Sequence, residues 1–117
     1  KYSLYVSSSK PEAHAHLTRN GCTIDEDHVY TKATHGYKKL EHLCKIQNRE
    51  CVAMDDIVLV EDNLSEVKEV VSSKLPAHII FATWGYNTTA QQREAARLGA
   101  QCLRLQDFYD IIRTREL

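Results

Sequence analysis

The feature that most constrains the fold is a short apolar run that stops abruptly in polar residues. Residues 57–60 read Ile-Val-Leu-Val and are followed at once by Glu61, Asp62 and Asn63. Consecutive apolar positions over so few residues are typical of a strand that is buried on both faces, as in a parallel sheet. The polar residues predict a turn, and a helix is expected from Leu64. We therefore expect a strand–turn–helix unit of a parallel α/β protein.

The rest of the chain alternates β-prone runs with segments of helical apolar spacing. The predicted strands lie at residues 4–6, 29–30, 57–60, 78–82 and 102–105, and the predicted helices cover 10–20, 38–48, 64–71, 90–98 and 106–113. Strands that alternate with helices build β-α-β units, which give a mostly parallel sheet with right-handed crossovers. The sequence therefore predicts one α/β domain over residues 1–117, doubly wound and three-layered in the Rossmann-like manner.

Charge and hydropathy argue against two classes of partner. Fifteen Lys and Arg residues against sixteen Asp and Glu residues leave a net charge of −1, without the basic excess that nucleic acids or anionic membranes attract. No apolar run approaches the roughly 20 residues of a membrane-spanning helix. The four cysteines form no Cys-x-x-Cys pair, and two lie within predicted elements, which favours buried thiols in a reducing compartment. We expect a cytoplasmic protein that binds neither nucleic acid nor membrane.

An acidic cluster follows the central predicted strand. Ligands of open parallel sheets bind outside the carboxyl ends of the strands. Asp62 and Glu66 are four residues apart at this strand-to-helix turn, so both carboxylates can face one point. Mg²⁺ takes one or two carboxylates and keeps several of its waters, which makes this pair a candidate metal site. The alternative is that Asp62 or Asn63 only caps the following helix and that Glu66 is solvated.

Hydroxyl groups and lysines supply a second candidate site. Ser7, Ser8 and Ser9 are expected to follow the first strand and precede a helix, where hydroxyls and backbone N–H groups can bind an anion. An ordinary N-cap is the alternative interpretation. Lys38 and Lys39 open the second helix, where the helix dipole disfavours a cation. A lysine that reaches a phosphate would explain this placement, and a solvated lysine is the alternative.

Together these segments resemble the later motifs of the haloacid dehalogenase superfamily, especially its phosphoglycolate-phosphatase-like branch. Residues 56–66, Asp-Ile-Val-Leu-Val-Glu-Asp-Asn-Leu-Ser-Glu, resemble motif IV, in which Asp62 and Glu66 would be the acidic pair that binds Mg²⁺. The chain carries Glu61 where many relatives have glycine, and Glu66 where many have aspartate. The segments Thr-Trp-Gly-Tyr and Leu-Gly-Ala further along resemble those that follow motif IV.

The resemblance of the chain to motifs II and III of the same family is weaker. The run Leu-Tyr-Val-Ser-Ser-Ser-Lys-Pro-Glu matches motif II with Ser8 as its hydroxyl, or with Ser7 if the register slips by one. The run Gly-Tyr-Lys-Lys-Leu occupies the place of motif III, with Lys38 as the first choice for its lysine and Lys39 as the second. The resemblance implies that Ser8, Ser9 and Lys38 bind the phosphoryl group and hold its charge during transfer.

Motif I of the family, an apolar strand followed by Asp-x-Asp, is missing before motif II. The one literal Asp-x-Asp is Asp25-Glu26-Asp27, which follows motif II and is interpreted as an acidic loop. The sheet is therefore expected to lack its N-terminal central strand. The strands at 4–6 and 57–60 would then pair directly or leave open edges, unless a homo-oligomer or a missing N-terminal segment completes the sheet. We interpret the chain as a C-terminal fragment, a partnered chain or a degenerate relative.

The sequence and its resemblance to this family leave three functions open. The first is a Mg²⁺-dependent phosphohydrolase core that acts on a small phosphorylated substrate and is incomplete without the motif I aspartate. The second is a non-catalytic phosphate- and magnesium-binding or protein-interaction module of the same fold. The third is a receiver-like signalling domain with Asp62 as the phosphoacceptor. The serines after the first strand argue against a receiver, which carries an acidic pair there.

Overall fold

A computed structural model describes residues 5–8, 26–31, 36 and 38–114 of the chain. The chain divides into two compact units, Lys1–Arg49 and Glu50–Leu117, and each is described by itself. The mixed α/β class with parallel strands is confirmed. The predicted helix at 10–20 lies outside the described residues, and the single domain stays a prediction.

The first unit contains a parallel pair of short strands and a helix. Strand β1 (Val6–Ser8) pairs with β2 (Val29–Thr31), and Ser7 stands opposite Tyr30. A 3-10 turn, Glu26–His28, precedes β2. Helix α1 spans Lys39–Glu50. The predicted strand at 29–30 and the predicted helix at 38–48 are thereby confirmed.

The serine run departs from the prediction. We expected Ser7 and Ser8 to follow the first strand, yet both belong to β1, because pairing with β2 supplies partners for their backbone groups. Strand formation depends on such cross-strand pairing as much as on side-chain preference. The serines therefore stand at the end of β1 rather than beyond it.

Helix α1 buries a histidine instead of the cysteine that its apolar spacing favoured. His42 and Leu43 are buried, whereas Cys44 is exposed. The prediction of a buried thiol is therefore wrong for Cys44, whereas Cys102 in the last strand is partly buried. The physical reason is that His42 satisfies both ring nitrogens with hydrogen bonds, which allows it to take the inward position.

The second unit is a three-stranded parallel sheet with helices between its strands. The strands β3 (Val58–Glu61), β4 (His78–Ala82) and β5 (Gln101–Leu103) lie in the order β3-β4-β5. Helices α2 (Leu64–Ser72), α3 (Thr89–Arg97) and α4 (Leu105–Thr114) follow them in turn. The core residues with no exposed surface are Val67, Val70, Phe81 and Ala95. The predicted β-α-β alternation is confirmed here.

The sequence predicted that strand β3 is buried on both faces, and this prediction is wrong. Leu59 and Glu61 are buried, but Val60 between them is 38% exposed. Successive side chains of a strand point to opposite faces, and β3 stands at the edge of the described sheet with β4 as its strand partner there. One face of β3 is therefore covered and the other is open.

The helices of the second unit begin at residues with capping side chains. Asn63 caps α2 by accepting a hydrogen bond from the Ser65 N–H at 2.8 Å. Thr88 caps α3 in a reciprocal capping box with Gln91. Thr88, rather than the adjacent Thr89, is thus the cap of α3. None of the helices in the described part of the chain has the length and apolarity to cross a membrane.

Candidate functional site

The turn after β3 is held by a buried carboxylate. Glu61 is 7% exposed, and its Oε1 accepts hydrogen bonds from the backbone N–H groups of Asp62 and Asn63, both at 3.2 Å. These bonds tie the first two residues of the turn to the last residue of the strand. Glu61 thereby shapes the backbone that carries Asp62.

Asp62 is not used as the helix cap. The cap of α2 is Asn63, so the alternative in which Asp62 serves as the cap is wrong. The Asp62 side chain instead lies against Gly85 in the loop after β4, where an added Cβ would come within 2.5 Å of Oδ2. Asn87 in the same loop donates one hydrogen bond to the Asp62 carbonyl at 3.2 Å and another to the Ala82 carbonyl at 2.8 Å. The carboxyl ends of β3 and β4 therefore meet at Asp62.

Glu66 lies in the first turn of α2, and one of its carboxylate oxygens is buried without a partner. Within the described part of the chain, Oε2 accepts no hydrogen bond. Buried polar atoms nearly always have a partner, and an exception in a native protein calls for a water, an ion or a functional role. The alternative in which Glu66 is merely solvated does not fit this oxygen.

The described residues contain no group of three or more His, Cys, Asp or Glu side chains that could hold a metal ion. Asp62 and Glu66 form a pair, which is the smaller set that Mg²⁺ takes with its waters and with substrate oxygens.

The first unit brings together two other candidate residues. The Lys39 ammonium donates a hydrogen bond to the Ser7 carbonyl at 2.5 Å, whereas Lys38 is exposed. Ser8 stands in β1 opposite Thr31, and Ser9 lies outside the described residues. The two residues that the structure joins are therefore Ser7 and Lys39, the second choices of the sequence analysis.

Sequence reasoning missed His42. Its Nδ1 lies 2.5 Å from the Ser7 hydroxyl, and its Nε2 lies 2.8 Å from the Gly36 carbonyl. A signal was present, because His42 follows Lys39 by three residues on the same helix and so lies about one turn from it. Because histidine is polar, the apolar spacing that predicts the buried face of a helix did not include it.

Asp27, the described aspartate of the literal Asp-x-Asp, is engaged elsewhere. Arg49 bonds to its Oδ2 at 2.5 Å and to its carbonyl at 2.7 Å. The hydrogen bond from the Arg49 guanidinium holds the pKa of the Asp27 carboxyl below its usual range. The structure thus gives this carboxylate an ion-pair role, and Asp25 lies outside the described residues.

Comparison of the chain with protein-family models, with curated proteins and with solved structures found no match. The relation to the haloacid dehalogenase superfamily therefore stays a resemblance between motifs.

Proposed function

We propose that the chain is part of a Mg²⁺-dependent phosphohydrolase core of the haloacid dehalogenase type. Its fold would be three-layered and Rossmann-like, and its substrate a small phosphorylated molecule. The observation that carries the proposal is the buried Oε2 of Glu66, which has no hydrogen-bond partner in the described part of the chain and belongs to a residue four positions after Asp62. The nucleophilic aspartate would come from a segment outside this chain.

The donor set of the acidic turn fits a magnesium ion. An unsatisfied buried oxygen costs about 1–3 kcal/mol, and more when it is charged. A cation held between Glu66 and Asp62 offsets this cost, and carboxylate oxygens are the ligands that Mg²⁺ prefers. Asp62 is available for this role because Asn63 supplies the helix cap. Bound Mg²⁺ would stabilise the charge that develops on the phosphoryl oxygens during transfer.

The phosphate-binding residues of the proposal come from the first unit. Ser8 is the proposed hydroxyl and Lys38 the proposed cation, with Ser9 as a further phosphate ligand and with Ser7 and Lys39 as alternates. The contact between the Lys39 ammonium and the Ser7 carbonyl supports Lys39 over the exposed Lys38. An ammonium group that bonds to the Ser7 carbonyl places positive charge beside strand β1, and a phosphoryl group bound there would need such a charge.

Magnesium-linked stability tests the proposal without requiring turnover. At a Mg²⁺ concentration about 100-fold above the dissociation constant, binding raises the free energy of unfolding by about 2.7 kcal/mol. We expect Asp62→Asn and Glu66→Gln to abolish this rise, as measured by urea unfolding with and without Mg²⁺. The control Asp55→Asn changes an exposed aspartate in the 3-10 turn Met54–Asp56 and should keep the full rise. Absence of any Mg²⁺ effect in the unmodified chain would refute the proposal.

A non-catalytic module with the same magnesium site is the second candidate. It is favoured by the engagement of Asp27 with Arg49, which leaves that carboxylate in an ion pair. Hydrolysis of an aryl phosphate separates the two candidates once a segment with a motif I aspartate is supplied. Turnover that depends on Mg²⁺ and on Asp62 supports the hydrolase, and intact Mg²⁺ binding without turnover supports the module.

A further inference from the structure

A serine, a histidine and a backbone carbonyl form a hydrogen-bonded chain in the first unit. The Ser7 hydroxyl lies 2.5 Å from His42 Nδ1, and His42 Nε2 lies 2.8 Å from the carbonyl oxygen of Gly36. Ser7 and His42 are 35 residues apart in sequence, and strand β1 and helix α1 bring them together. In the function proposed above, Ser7 is only an alternate phosphate ligand and His42 has no role.

The partners of the imidazole determine where its proton lies. A carbonyl oxygen only accepts hydrogen bonds, so Nε2 must carry the hydrogen that bonds to Gly36. In the neutral imidazole Nδ1 is then an acceptor, and the Ser7 hydroxyl donates to it. This is the arrangement that activates a serine: the base faces the hydroxyl, and a third group orients the base.

The surroundings hold the histidine in this orientation. His42 is 2% exposed, and the Tyr30 ring packs against its imidazole edge-to-face, with ring centroids 5.9 Å apart. Ser7 is partly exposed, whereas the base is shielded from solvent. The Lys39 ammonium on the Ser7 carbonyl adds a positive charge beside the serine, where an oxyanion would gain from it.

We propose that Ser7 is a nucleophile, with His42 as its general base and the Gly36 carbonyl as the orienting group, and that it accepts the acyl group of a carboxylic ester. The Ser7 Oγ–carbon bond forms while the proton of the hydroxyl passes to His42 Nδ1. The carbon–oxygen bond to the alcohol then breaks, and Nδ1 returns the proton to the departing alkoxide. Water releases the acyl group by the same route in reverse. This activity is independent of the magnesium site.

Labelling of the full chain with a fluorophosphonate tests the proposal. The reaction forms a bond between Ser7 Oγ and phosphorus and breaks the phosphorus–fluorine bond, and the proton leaves through His42 with the fluoride. The internal control is Ser73, whose hydroxyl donates to the Val70 carbonyl at 2.6 Å rather than to an imidazole. General-base assistance contributes about 100-fold or more. We therefore expect Ser7 to be labelled at least about 100-fold faster than Ser73, as measured by mass spectrometry of the peptides.

Two further measurements connect the label to the histidine. His42→Gln should lower the labelling rate of Ser7 to that of Ser73, since an amide side chain does not accept the proton. If this variant does not fold, the unmodified chain in urea takes its place, because unfolding separates Ser7 from His42 and should remove the difference. Equal labelling of Ser7 and Ser73 in the folded chain overturns the proposal. Rapid labelling of Ser7 that persists in folded His42→Gln or in urea overturns it as well.

Discussion

At the scale of single residues, the acidic turn is built by neighbours that position Asp62 without being ligands themselves. Glu61 holds the backbone N–H groups of the turn, Asn63 caps the helix, and Gly85 leaves room for the carboxylate. The consequence is a fixed backbone at Asp62, whose side chain does not serve as the helix cap. Such preorganisation is what a metal or phosphate site requires.

The role of Gly85 leads to a prediction about metal affinity. In Gly85→Ala the new Cβ would come within 2.4 Å of the Asp62 Cβ, so either Asp62 or the loop must move. We expect the Mg²⁺ dissociation constant to rise at least about 10-fold, with a loss of about 1–3 kcal/mol in the free energy of unfolding from overpacking. Calorimetric titration with Mg²⁺ measures the first quantity and urea unfolding the second.

Gly99→Ala is the matched control for this change. Gly99 has a φ of +102°, which strains any L-residue, but nothing lies within 4 Å of an added Cβ. The Gly99→Ala variant should therefore lose about 1–2 kcal/mol in the free energy of unfolding and keep the Mg²⁺ affinity of the unmodified chain. A Gly85→Ala chain that binds Mg²⁺ as tightly as Gly99→Ala would show that the contact with Asp62 has no role in binding.

At the scale of elements, the helix starts show what local sequence can and cannot decide. Two adjacent residues of the sequence can cap each helix: Thr88 or Thr89 for α3, and Asp62 or Asn63 for α2. In each pair both side chains have the chemistry of a cap, and the choice follows from the extended backbone of the residue that precedes the first helical turn. That backbone conformation depends on the preceding strand and loop, which local sequence does not specify.

The capping box of α3 predicts a measurable loss. Thr88→Ala removes the acceptor for the Gln91 N–H and should lower the free energy of unfolding by about 1 kcal/mol. Thr88→Ser keeps the hydroxyl and should stay close to the unmodified chain. Urea unfolding of the three proteins measures the difference. An equal loss in the serine and alanine variants would mean that the threonine methyl group, rather than the cap, carries the effect.

At the scale of the whole molecule, stability of the second unit is concentrated in its central strand. Strand β4 is paired on both sides, and Phe81 within it has no exposed surface. Tyr86 follows the same strand by a few residues, yet it is 101% exposed. A comparison of these two aromatic residues therefore separates the effect of burial on stability from the effect of side-chain type.

Truncation of the two aromatic residues should have very different costs. Phe81→Ala should lower the free energy of unfolding by about 3–5 kcal/mol, because the loss of apolar burial adds to the cost of the cavity. Tyr86→Ala should change it by no more than about 0.5 kcal/mol, as is usual for exposed positions. Urea unfolding of both variants measures the contrast, and a small effect at Phe81 would contradict the described core.

The sequence by itself determined the parallel α/β class, the β-α-β alternation of the second unit and the acidic turn after β3. It did so because apolar periodicity, helix caps and strand ends depend on residues within a few positions of one another. Tertiary structure alone decided that Ser7 stands inside a strand opposite Tyr30, that Val60 is open on one face of β3, and that Asp62 packs against Gly85. It also placed His42 against Ser7 across 35 residues of chain. Such contacts arise only when strands pair and helices dock, and no local pattern encodes which distant polar group a buried side chain will meet.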